Sequence, residues 1–154
     1  MKQRDDAKWR ARFIGLCDHI ASWSEDRDFQ VGAVIVGPGE EVRAMGYNGF
    51  PRGVSATDEK RFDRASGEKF FWFEHAERNA IYNAARAGTA LAGCTIYVNR
   101  FPCADCARAI IQSGIVCVEC PPRPRNDGKL DYSFEVSETL LSEAGVVLRT
   151  EGAY

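Results

Sequence analysis

The chain has 154 residues, 45% of them hydrophobic and 27% charged, ordinary values that exclude a disordered or fibrous protein. Twenty Lys and Arg against 22 Asp and Glu leave a formal charge of −2. That balance argues against gripping a nucleic acid polymer through a basic surface, while a small anionic ligand needs only a few well-placed donors. A chain of this length can bury its own core, so residues 1–154 are expected to form one domain.

Trp9, Phe13, Leu16, Cys17 and Ile20 recur at helical spacing and predict an amphipathic helix from Asp5 to Trp23. Val31–Val36 is an apolar, β-rich run closed by Gly37-Pro38-Gly39, and Val42–Tyr47 follows as a second strand of a hairpin. Asn48–Glu74 reads as a long, charged connection, a length usually reserved for function. The chain then alternates. Helices are predicted over His75–Ala87, Cys103–Ser113 and Phe134–Ala144, and strands over Cys94–Asn99, Ile115–Glu119 and Val146–Arg149. This order implies an α/β fold, a mixed sheet of about five strands with helices on both faces. In such sheets the ligand site lies at strand ends and helix N-termini.

The informative residues are six Cys and two His. The chain is too large for a disulfide mini-protein, its start is polar, and no segment approaches the ~20 apolar residues of a membrane span. A cytoplasmic location is therefore expected, with no membrane partner. There a C-x-x-C group is more often a metal or redox site than a bridge. His75-Ala76-Glu77 opens one predicted helix and Pro102-Cys103-Ala104-Asp105-Cys106 the next. Pro102 suits a helix start, where its missing N–H has no partner to lose. Cys103 and Cys106 share a face of the first turn, and the helix dipole favours their thiolates. With His75 they make three zinc ligands and leave a fourth tetrahedral position open, as a catalytic site requires. Glu77, two residues from a ligand, is placed as the proton shuttle.

Each element alone is weak; the order H-A-E then P-C-x-x-C is the zinc nucleobase-deaminase signature. A second C-x-x-C, Cys117 to Cys120, keeps a structural four-cysteine site in view, although residues three apart on a strand face opposite ways. His19 has no motif partner. Arg123, Arg125 and Lys129 are either a solvated basic loop or phosphate contacts.

The chain also resembles the deoxycytidylate (dCMP) deaminases over nearly its whole length. The resemblance is carried by Val31–Val36, Gly46-Tyr47-Asn48-Gly49-Phe50-Pro51-Arg52-Gly53, His75–Ile81, and Phe101–Arg108 with Ile110–Ile115. It implies a three-layer α-β-α cytidine-deaminase-like fold and one catalytic zinc held by His75, Cys103 and Cys106. It also implies Glu77 as the proton shuttle and a homo-oligomer acting on a free cytosine nucleotide. On the substrate side it points to Asn48 against the sugar or phosphate, Asn79 shaping that site, and Ser24 and Ala76 beside them. Phe29 before Val31-Gly32-Ala33 is similar to an aromatic near the base in cytidine deaminases, with a core aromatic as the other reading. Arg52 is a phosphate candidate. Where the family often shows S-K-D-P, this chain has Ser24-Glu25-Asp26-Arg27, without the Lys or the Pro. The expected reaction is hydrolysis of dCMP to dUMP and ammonia. The alternatives are a deaminase of tRNA or of another cytosine nucleotide, and a non-catalytic zinc module.

Overall fold

The computed structural model describes residues 6–125 and 128–150. Its spine is a five-stranded sheet in the order β2-β1-β3-β4-β5. β1 (Gly32–Val36) is buried throughout. Its side chains alternate, Ala33 and Ile35 to one core cluster, Val34 and Val36 to the other, as a two-residue period requires. β2 (Val42–Tyr47) returns antiparallel through a turn in which Gly37 N–H donates to Glu41 O at 2.8 Å. β3 (Thr95–Val98) pairs antiparallel with the other side of β1. β4 (Cys117–Glu119) and β5 (Val147–Arg149) then extend the sheet in parallel.

Helix α1 (Asp6–Ala21) lies alone on one face, burying Phe13, Ile14, Cys17 and Ile20 against Val34, Val36 and Tyr97. A one-turn α2 (Lys69–Trp72) lies within the long connection. The other face carries α3 (Ala76–Ala87), α4 (Ala104–Gln112) and α5 (Asp131–Glu143) over the larger core cluster. Parallel strands need crossover connections, which α4 and α5 supply. Two glycines set how closely the layers meet. A Cβ at Gly32 would stand 2.1 Å from Cys17 O, and one at Gly46 2.3 Å from Ala80 N. The α1 and α3 backbones therefore rest almost directly on the hairpin.

The three-layer α-β-α expectation holds, with most helix boundaries moved inward by a residue or two. α5 instead starts earlier, at Asp131 rather than Phe134. Asp5, the expected start of α1, lies outside the described residues. The main difference is the segment 48–74, which is folded rather than open. Gly49 and Glu74 exchange backbone hydrogen bonds of 3.1 and 2.8 Å across its mouth. Inside the closed segment Phe50, Phe62 and Phe73 cluster with ring centroids 4.5–5.6 Å apart. These aromatics follow no regular period, so no strand or helix pattern announces them. Among the described residues no helix is long and apolar enough to cross a membrane.

Candidate active site

His75 and Cys103 are the N-cap residues of α3 and α4, both with extended backbone (φ −79°, ψ 152° and φ −74°, ψ 172°). Pro102 is fully buried just before α4, and Cys106 stands one turn inside it. The His75 Nδ1 atom lies 3.4 Å from the Sγ of Cys103 and 3.4 Å from the Sγ of Cys106. All three donor atoms fall within 4.8 Å of one another. Tetrahedral zinc with Zn–S near 2.3 Å and Zn–N near 2.0 Å separates its ligands by about 3.5–3.8 Å. The donor set therefore fits zinc in both chemistry and spacing. The Cys103 thiol is pulled down to about 4, chiefly by the hydrogen bond from the Cys106 thiol and then by His75, against burial. The same bond, with burial, pushes Cys106 well up. A metal ion binds both sulfurs as thiolates and so releases their protons on binding.

Glu77 is buried, and burial pushes its carboxyl above the usual carboxylate range. It opens onto a cavity of about 250 Å³ whose walls also include His75, Ala76 and Cys103. A buried carboxyl beside a metal-binding cluster in a cavity is the arrangement that proton transfer needs.

A family model described as the cytidine and deoxycytidylate deaminase zinc-binding region matches residues 7–120. The chain belongs to that family. It is a zinc-binding hydrolytic deaminase. An uncharacterized deaminase of the luxG 3′ region in Aliivibrio fischeri is 40% identical over 144 residues, 91% of each chain. The human deoxycytidylate deaminase is 39% identical over 122 residues, covering 74% of this chain and 65% of the human one. Among solved structures, the dCMP deaminase of cyanophage S-TIM5 in complex with dCMP and dUMP superposes with a TM-score of 0.77. It is 22% identical over 97% of this chain and 99% of the phage chain, a likeness of fold.

The fold of this deaminase sorts the expected substrate residues into two groups. Phe29, Asn48 and Ala76 line the cavity. Asn48 already gives its amide hydrogens to Asp26 Oδ2 (3.2 Å) and Phe29 O (2.7 Å), and its Oδ1 accepts from Val31 N–H at 2.9 Å. Ser24, Asn79 and Arg52 stand outside the lining. Ser24 Oγ donates to Asn48 O at 2.7 Å, Asn79 Nδ2 to Tyr47 O at 2.8 Å, and Arg52 to Asn83 Oδ1 at 2.6 Å. Ser24 and Asn79 thus brace the site rather than face it, and Arg52 is tied to α3.

Cys117 and Cys120 are buried free thiols outside the donor cluster; burial raises both, Cys120 to about 12. A four-cysteine site does not form among the described residues. Arg123 pairs with Glu138 at 3.3 Å, and the Lys129 side chain lies outside the described residues. Sequence spacing gave no indication of Asp26, Arg64, Lys69 and Arg100, which also line the cavity.

Proposed function

We propose that this chain is one deaminase domain that hydrolyses dCMP to dUMP and ammonia, with His75, Cys103 and Cys106 holding zinc. The observation that carries this is a buried Glu77 carboxyl opening onto the same cavity as the three converging donors. The choice of substrate draws on the relatives: the human one is a deoxycytidylate deaminase, and the phage structure holds dCMP and dUMP.

When bound, zinc lowers the pKa of a coordinated water from 15.7 to about 7. Glu77 does the remaining proton work. Its carboxylate takes a proton from the attacking water and gives it to ring N3, then takes the remaining proton from the new C4 hydroxyl and delivers it to the departing amine as the C4–N4 bond breaks. Water is consumed and ammonia released, so the atoms balance. Phe29 belongs to the cavity wall. Asn48 keeps one free lone pair on Oδ1, suited to accept from a sugar hydroxyl. Asn79 and Ser24 hold the surrounding backbone in place.

Six free thiols in the described residues suit a reducing compartment, which supports a cytoplasmic location. The same reading includes a homo-oligomer, supported by the exposed Val42, Met45 and Tyr47 on the outer strand β2.

Glu77→Gln keeps the shape of the side chain while removing its acid–base function. It is expected to retain bound zinc and to lose about 10²–10⁴-fold in kcat. A variant with full zinc content and the wild-type rate would overturn the assignment. Ammonia release from dCMP, CMP, dCTP, deoxycytidine and 5-methyl-dCMP, measured side by side, tests the substrate. No release from dCMP removes the proposal.

A further inference from the structure

We propose that Arg64 and Arg100 form the phosphate-reading pair of this cavity and select a nucleoside monophosphate over the bare nucleoside. The pair rests on the nucleotide reading above. The two side chains arrive from different elements. Arg64 comes from the folded segment between the 3-10 turn Glu59–Phe62 and α2, and Arg100 from the loop joining β3 to α4. Both guanidinium carbons lie over the Phe29 ring, 4.0 and 5.0 Å from its centroid. All three residues belong to the cavity wall.

Charge pairing sets these two arginines apart among the cavity's cations. Arg27, Arg43, Arg78 and Arg123 each face a carboxylate. Among the described residues Arg64 and Arg100 face none. The cavity's other cation, Lys69, is neutralised by an ion pair with the buried Asp26. Two uncompensated positive charges therefore remain on the wall. A phosphate monoester carries about −1.5 to −2 at pH 7, which two guanidiniums match in charge and in bidentate geometry.

Depth orders the ligand. Glu77 and Ala76 are buried, whereas Arg100 is exposed. A nucleotide with its base toward Glu77 brings its phosphate to the exposed end. Phe29 holds both guanidiniums before the ligand arrives, so less side-chain freedom is lost on binding. Arg52 and Arg27 do not serve this role, since Asn83 and Glu59 hold them elsewhere.

The test compares dCMP with deoxycytidine in the zinc-loaded wild type, Arg64→Gln, Arg100→Gln and the double variant. Each single variant is expected to lower kcat/KM for dCMP about tenfold, and the double variant about a hundredfold. Turnover of deoxycytidine should stay within twofold, so the preference for the nucleotide collapses. Arg100→Lys should retain part of it. An unchanged preference in the double variant overturns the pair, and so does an equal loss on both substrates, which marks a merely structural role. If the wild type does not deaminate dCMP, the substrate reading fails separately. Calorimetric binding of dUMP against deoxyuridine still decides the pair: the double variant must lose the difference, and retention of that difference refutes the inference.

Discussion

Asp26 is buried, with each carboxylate oxygen taking two donors. Its Oδ1 accepts the N–H groups of Asp28 (3.0 Å) and Phe29 (3.1 Å), and its Oδ2 meets Lys69 Nζ and Asn48 Nδ2. Burial opposes ionisation, but Lys69 and the two backbone N–H groups outweigh it and hold the carboxyl below its ordinary value. A lowered folded-state pKa stabilises fully above the unfolded value, about 3.9. That stability is lost as pH falls through the lower folded value. Asp26→Asn leaves Lys69 buried without its counter-charge and is expected to cost about 3–5 kcal/mol at pH 7. Urea midpoints measured from pH 7 to pH 2 should show the gap between wild type and variant closing from about pH 4 downward. A constant gap contradicts this account. At this scale legibility was uneven. The donor cluster of His75, Cys103 and Cys106 was readable, because near neighbours on helix starts are placed by spacing. Asp26 and Lys69 are 43 positions apart in the numbering, and no local pattern couples them.

The two helix starts that bring the donor cluster together are tied by Arg78, in the first turn of α3. Its Nη2 meets Glu74 Oε1 at 2.5 Å and its Nη1 meets Asp105 Oδ2, in the first turn of α4, at 3.5 Å. Glu74 Oε1 also accepts the His75 N–H at 2.9 Å. One guanidinium thus links the backbone of one residue of the donor cluster to the helix start that carries the other two. Groups behind the ligands are commonly worth 10–100-fold in metal affinity. Arg78→Leu is expected to weaken zinc binding at least about tenfold, measured by competition with a chromophoric chelator, while circular dichroism stays native. Unchanged affinity would show that the link is incidental. Helices and strands were largely readable, because the 3.6- and 2-residue periods report which face is buried. The segment 48–74 was not. Its order comes from the Gly49–Glu74 bridge and an aromatic cluster drawn together from separate positions.

Across the whole molecule, β2 forms one outer edge of the sheet and presents exposed Val42, Met45 and Tyr47 beside exposed Trp23. Solvent-exposed edges usually carry charges that discourage pairing. Sedimentation velocity at micromolar concentration is therefore expected to give a mass that is a multiple of the monomer. A monomer alone would remove the homo-oligomer from the proposal. Near-neutral charge follows from composition, and the β1–β2 hairpin, the alternating later half and the H-A-E and P-C-x-x-C pieces each follow from residues close together in the chain. Such features depend on local spacing, which survives without knowledge of the fold. The cavity does not. Phe29, Arg64 and Arg100 come from three separate segments, and their meeting depends on how the long connection closes over the ends of β1 and β3. Whether an arginine is free or already bound to a carboxylate is likewise a matter of through-space distance. The folded chain alone separates Arg64 and Arg100 from Arg27 and Arg52.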